Sequence, residues 1–172
     1  MELTNDGRQG FTLVELLLYV GLSSLLLLTM TLFLSTLLES RVKNQTVAEV
    51  EQQGAAALHM MAQIIRNAES ITSPIQGNNA SSLTLNVITG ANDPTVFDLS
   101  SDALRITEGA GSPMVLTNSR VTVSGLTFQN LSHTGTPGAV RVNFTLTHVN
   151  PTGRNEYQFQ KTFTASATLR QP

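Results

Sequence analysis

The chain contains no cysteine, so neither a disulfide framework nor a thiolate metal site is available to it. That absence does not identify a compartment, because many exported proteins lack disulfides. Charge is also scarce: Asp, Glu, Lys and Arg make up 13% of the residues, and the net charge is -2. No basic block occurs, which leaves no electrostatic footprint for nucleic acid. There is no Gly-x-Ser-x-Gly elbow and no glycine-rich phosphate loop, two usual local signatures of hydrolases and nucleotide-binding enzymes. His59, His133 and His148 are far apart in sequence and form no i, i+4 pair; they read as surface or packing residues. Asp93, Asp98 and Asp102 share a loop-rich stretch, but their spacing does not match an EF-hand calcium loop. The expectation is a protein that is not an enzyme, with no catalytic residues, no metal, no cofactor and no small-molecule substrate.

Proline is missing from Phe11 through Ile71, so nothing in that stretch forces a helix to break. Within it, Phe11 to Leu38 is an apolar run whose only charge is Glu15. About 20 apolar residues in a helix cross the ~30 Å hydrocarbon layer of a bilayer, and residues 11–38 exceed that. A carboxylate in such a segment costs on the order of 3 kcal/mol if it reaches the bilayer centre, which makes Glu15 a functional-site candidate. Its place near the end of the run avoids part of that cost. Residues 1–10 contain Glu2, Asp6 and Arg8 and are polar, not basic. The apolar run is too long for an ordinary secretory signal, and no Ala-x-Ala pattern follows it. Arg8 flanks the run on one side and Arg41 and Lys43 on the other, so charge bias leaves the orientation open.

Polarity changes at Glu39-Ser40-Arg41, and a new pattern begins. Val47, Val50, Gly54, Ala57, Met61, Ile64 and Ala68 recur at steps of three and four, which is one face of a helix. Leu58 and Ile65 widen the stripe; Glu49, Gln52, Gln53, Gln63 and Arg66 lie opposite. The spacing predicts one helix from Phe11 to about Glu69, apolar all round in its membrane half and amphipathic in its second half. Gly54, Ala55, Ala56 and Ala57 are small enough to let a sheet approach closely. Ile71 to Ser82 reads as a loop, marked by Ser73-Pro74 and Gly77-Asn78-Asn79. Beyond it the period changes to two. Leu83 to Val87, Val96 to Leu99, Leu104 to Ile106, Val121 to Phe128, Val140 to Leu146 and Tyr157 to Leu169 are the candidate strands, with a bulge at Ser124-Gly125 and a turn at Asn150-Pro151-Thr152-Gly153. Strands with one apolar face and short turns suggest an antiparallel sheet. The helical stripe and that sheet then cover each other. The expected class is α+β: a long N-terminal helix packed on a C-terminal antiparallel β-sheet.

The string Arg8-Gln9-Gly10-Phe11-Thr12-Leu13-Val14-Glu15, followed at once by the apolar run, resembles the cleavage and assembly motif of type IV prepilins and type II secretion pseudopilins. The resemblance implies a leader, residues 1–10, cut after Gly10 by a prepilin peptidase that also N-methylates Phe11. It implies a transmembrane assembly helix over residues 11–38 and an extracytoplasmic pilin-like domain over residues 39–172. Glu15 then pairs with the amine of a neighbouring subunit and sets the register of a filament. The implied partners are the peptidase/N-methyltransferase, other pilin or pseudopilin subunits and an inner-membrane assembly platform, with nucleic acid only in a competence pilus. The implied location is the inner membrane, single-pass with the C-terminal domain outside, and then the pilus or pseudopilus.

The membrane helix lacks the proline usual in major pilins. Ala57 to Ala68 is similar to the helix of J-type or W-type minor subunits, as is the order of Leu104-Arg105, Val115-Leu116 and Leu126 to Phe128. A glutamate at position 15 also argues against the tip pseudopilins that lack it. The expected function is a minor pilin or pseudopilin of a type IV pilus, a type II secretion system or a competence system for DNA uptake. The alternative is a single-pass anchored extracytoplasmic binding module that never polymerises. An anchored enzyme is a third class, and no clustered polar motif favours it.

Overall fold

A computed structural model describes residues 11–170. Its first element, helix α1 (Leu13–Asn67), is 55 residues long. The absence of proline permits that length, and Thr12 starts it: the Thr12 hydroxyl accepts the Glu15 backbone N–H at 3.3 Å, satisfying one of the first-turn donors that a helix leaves open. By its internal contacts the chain divides after Arg41. In the first unit every residue from Phe11 to Arg41 is exposed. The second unit, from Val42 onward, holds the packed core.

Within the second unit the buried face of α1 is Thr46, Val50, Gly54, Ala57, Met61 and Ile65. The expected stripe is right at Val50, Gly54, Ala57 and Met61. Ile65 and Ala68, also part of the expected face, are buried; Val47 and Ile64 are only half-buried, and Thr46 takes an inner position at the start of the face. Thr46 is tolerated there because its hydroxyl donates to the Val42 carbonyl at 3.0 Å, so burial leaves no unmet donor. Ala55 and Ala56 are exposed. The close approach rests on Gly54 instead, where an added Cβ would collide with the Phe163 ring.

The helix ends at Asn67, close to the expected end at about Glu69, and passes into strand β1 (Ala68–Ser73) without a loop, which corrects the loop expected from Ile71. Pairing explains the change. β1 runs antiparallel to β3 (Leu83–Val87), with Ala68 opposite Val87 and Ile71 opposite Leu85. The same sheet continues through β4 (Thr95–Ser100), β5 (Ala103–Glu108) and β6 (Met114–Val115), in the order β1-β3-β4-β5-β6.

A second antiparallel sheet has the order β2-β7-β8-β9, built from β2 (Asn79–Ala80), β7 (Val121–Asn130), β8 (Ala139–His148) and β9 (Gln160–Thr168). The fold is therefore α+β with two sheets, not the single sheet expected from the strand pattern. The chain crosses between the sheets at residues 73–79, where buried Asn130 holds it. The Asn130 amide donates to the Pro74 carbonyl at 2.8 Å, and its backbone accepts from Gly77 and donates to Asn78, each at 3.0 Å.

Two turn features agree with the sequence. Gly125 has φ +62°, and the β7–β8 register shifts between Ser124 and Thr127, which is the expected bulge. The β8–β9 connection contains Asn150–Gly153, with Gly153 at φ +67°. The last strand starts later than expected, at Gln160, after a 3-10 turn at Asn155–Tyr157. The Asn150 side chain closes this turn, donating to the Arg154 carbonyl at 2.8 Å and accepting the Arg154 N–H at 3.1 Å. Helix and sheets share one core, in which Val50, Met61, Ile65, Leu83, Leu85, Phe97, Phe128, Phe144 and Leu146 are fully buried.

Candidate functional site

Of the residues singled out by the sequence, Phe11 and Glu15 are described; the leader, residues 1–10 with the cleavage-side Gly10, lies outside the described residues. Glu15 is in the first turn of α1 and is exposed. An acidic residue there is favoured by the helix dipole. Thr12-Leu13-Val14-Glu15 also has the form of a capping box, and the half of it in which threonine accepts the Glu15 N–H is formed. That signal is legible in the sequence, as a threonine three residues before a glutamate at the start of an apolar run. Phe11 packs edge-on to Tyr19, with ring centroids 6.0 Å apart.

The rest of this segment is one helix face after another of unpartnered apolar side chains. Leu16, Leu25, Leu28, Phe33 and Leu37 are all exposed, and the helix is long and apolar enough to cross a membrane. Its polar side chains are compatible with that setting. The hydroxyls of Ser24, Thr29, Thr31 and Thr36 donate to the carbonyls of Gly21, Leu26, Leu27 and Phe33 at 2.8 to 2.9 Å. Such back-bonding satisfies a hydroxyl without water, which a lipid-exposed helix requires.

In the second unit, charged groups gather where α1 meets the ends of β7 and β8. The Asn118 amide donates to one oxygen of Glu49 at 2.9 Å. Arg120 reaches the other oxygen at 3.4 Å, and the Nε2 atom of His148 lies 3.7 Å from it. Partial burial acts to raise the Glu49 pKa. The Asn118 hydrogen bond, the charge and hydrogen bond of Arg120 and the charge of His148 outweigh it, and the net effect holds the carboxyl below its ordinary value. The His148 ring stacks on Tyr157 at 5.8 Å, and its Nδ1 atom is buried without a partner. Glu49, Arg120, His148 and Tyr157 border a cavity of about 490 Å3. Nearby, Lys43 donates to the carbonyls of Gln158 and Asn155 at 2.7 and 3.2 Å, and Lys161 pairs with Glu51 at 2.6 Å. The arrangement ties the helix to the sheet through charge.

The His148–Glu49 contact is not legible in the sequence: Glu49 lies far from His148 along the chain, and no local pattern announces the pair. The three aspartates considered for calcium are not brought together in one site. Asp98 forms a two-pronged pair with Arg105 at 2.7 and 3.0 Å. Asp93 accepts the Val87 N–H at 3.0 Å, and Asp102 is exposed. Among the described residues, no group of three or more His, Cys, Asp or Glu side chains is placed to hold a metal ion. No protein-family model, curated protein or solved structure matches the chain.

Proposed function

We propose that this protein is a minor pilin or pseudopilin, a structural subunit that assembles through its N-terminal helix into a type IV pilus or a type II secretion or competence pseudopilus. The observation that carries the reading is the apolar half of α1, in which every residue from Phe11 to Leu38 is exposed directly after the Gly10-Phe11 junction. A helix apolar on all faces needs lipid or other helices around it. An inner membrane supplies the first before assembly, and a filament core of packed helices supplies the second.

In this reading a prepilin peptidase cuts after Gly10 and methylates Phe11, and the subunit then passes to an inner-membrane assembly platform. Glu15 pairs with the Phe11 amine of a neighbouring subunit; a carboxylate moved out of water is stable only when paired. The head built on residues 42–170 faces the extracytoplasmic side. The reading includes no catalytic step and no cofactor, and nucleic acid enters only if the machine is a competence pilus.

A second reading, an anchored binding module that never polymerises, draws on one observation. The bond from the Glu15 N–H to Thr12 gives the Thr12-to-Glu15 sequence a local purpose as a helix start. Amino-terminal mass analysis separates the two. In cells with an active prepilin peptidase, the mature chain is expected to begin at Phe11 with a methylated amine. A chain that keeps residues 1–10 in such cells overturns the pilin reading and leaves the anchored module.

A further inference from the structure

Two arginines are held side by side where α1 ends. Arg66 is in its last turn, Arg170 follows β9, and the Arg170 N–H donates to the Arg66 carbonyl at 3.0 Å. Both residues are exposed. Arg105, Arg120 and Arg154 each have a carboxylate partner; among the described residues Arg66 and Arg170, like Arg41 and Arg141, form no ion pair, but only Arg66 and Arg170 adjoin each other. A cation in the last turn offsets the partial negative charge of the helix end, which accounts for one arginine. It does not account for a second, because like charges placed next to each other repel.

Beside the pair lies a hollow of about 450 Å3 lined by His59, Gln63, Arg66, Asn67 and Arg170. The first four fall on one face of α1 by their spacing. Each of these side chains carries N–H donors and none is a carboxylate. A second hollow on the same arginines, of about 500 Å3, differs in kind: Ile64, Val87, Ile88 and Glu108 enter its lining, and a carboxylate there works against an anion.

We propose that the hollow lined by His59, Gln63, Arg66, Asn67 and Arg170 binds a phosphate group. Two forked guanidinium groups match the oxygens of a phosphate, and its double charge neutralises both. A carboxylate carries a single charge, and its organic body would find no apolar side chain in this lining. The phosphate belongs either to a soluble phosphate ester or to a lipid headgroup.

The test uses the full chain in detergent micelles, titrated with inorganic phosphate at constant ionic strength and followed by calorimetry. Saturable binding at one site per chain is expected. Arg66→Gln and Arg170→Gln are each expected to weaken it about tenfold or more, the effect of losing a charge-assisted hydrogen bond. Arg141→Gln, at an exposed arginine of β8 outside the hollow, is expected to bind as the unmodified chain does. Arg170→Gln leaves the residues of α1 unchanged, so its effect is not a by-product of helix loss. Parallel titrations in the same micelles with glycerol phosphate and with short-chain phosphatidic acid, each repeated on Arg170→Gln, identify the source: tighter Arg170-dependent binding of the first assigns a soluble ester, of the second a lipid. No saturation, unaltered binding by Arg170→Gln, or an equal loss in Arg141→Gln overturns the proposal.

Discussion

Gly54 is the position where a single hydrogen decides the packing. The Phe163 ring occupies the space that any side chain at 54 would need, and it is itself held by stacking on Phe144 at 5.6 Å. Gly54→Ala gains up to about 1 kcal/mol of helix propensity but overpacks a buried contact, which costs about 1–3 kcal/mol. The net expectation is destabilisation in chemical denaturation, and the loss should shrink when Gly54→Ala is combined with Phe163→Leu. Additive losses in that double-mutant cycle would show that the ring moves aside freely.

Glu49 sets a pH dependence at the same scale. Its folded pKa lies below the ordinary value, so the stability it contributes is fully present above the ordinary carboxylate range and is lost as pH falls through the lowered pKa. Denaturation midpoints measured across that acid range should fall less steeply for Glu49→Gln than for the unmodified chain. Equal slopes would mean that the pairing with Asn118 and Arg120 is not maintained in solution.

At the scale of elements, the lower half of α1 is inseparable from the sheets. Val50, Met61 and Ile65 are fully buried in the same cluster as Leu83, Phe97 and Phe128. A fragment beginning at Val42 is expected to be soluble, with cooperative unfolding. One beginning at Ile71 removes these helical side chains and part of β1, exposes a contiguous apolar surface and should aggregate. Equal solubility of the two fragments, with equally cooperative melts, would overturn the shared core.

The same elements show what a sequence can carry. Periodicity located the helix face to within one residue, because the steps between Val50, Gly54, Ala57 and Met61 depend only on the helical repeat. It missed the exchange of Val47 for Thr46, since a hydroxyl that bonds its own helix is not marked in the pattern. The bulge at Gly125 and the turn ending at Gly153 were legible because positive φ favours glycine. The division into two sheets was not: it depends on Asn130 reaching Pro74 and the 73–79 crossing, a contact between residues distant in sequence. The same holds for His148 and Glu49, and for the junction of Arg170 with Arg66. Of the N-terminal segment, its helical form and exposure follow from composition alone, and the hydroxyl back-bonding adds only local detail.

For the whole molecule, the proposed function assigns anchoring and assembly to the same residues 11–38 but to different physical terms, and substitutions can separate them. Leu25 and Leu28 are exposed on the apolar stretch. Arginine at the centre of a membrane helix costs about 3 kcal/mol per residue on insertion scales, so Leu25→Arg with Leu28→Arg should release the chain from the membrane fraction. The unit from Val42 onward keeps its own core and should give an unchanged protease-resistant fragment. Glu15→Ala acts in the opposite direction on insertion, since it removes a carboxylate from the run. It should leave the mature chain in the membrane. In the proposed filament, however, it strips the partner from a neighbouring Phe11 amine in a low-dielectric setting, where an unpaired charge costs several kcal/mol. Its incorporation into sheared filaments should drop sharply while membrane content holds or rises. The assay must quantify this chain in both fractions, because total filament yield can survive the loss of a minor subunit. Glu15→Ala that enters filaments at the unmodified level would leave position 15 with its helix-start role alone and remove the register mechanism.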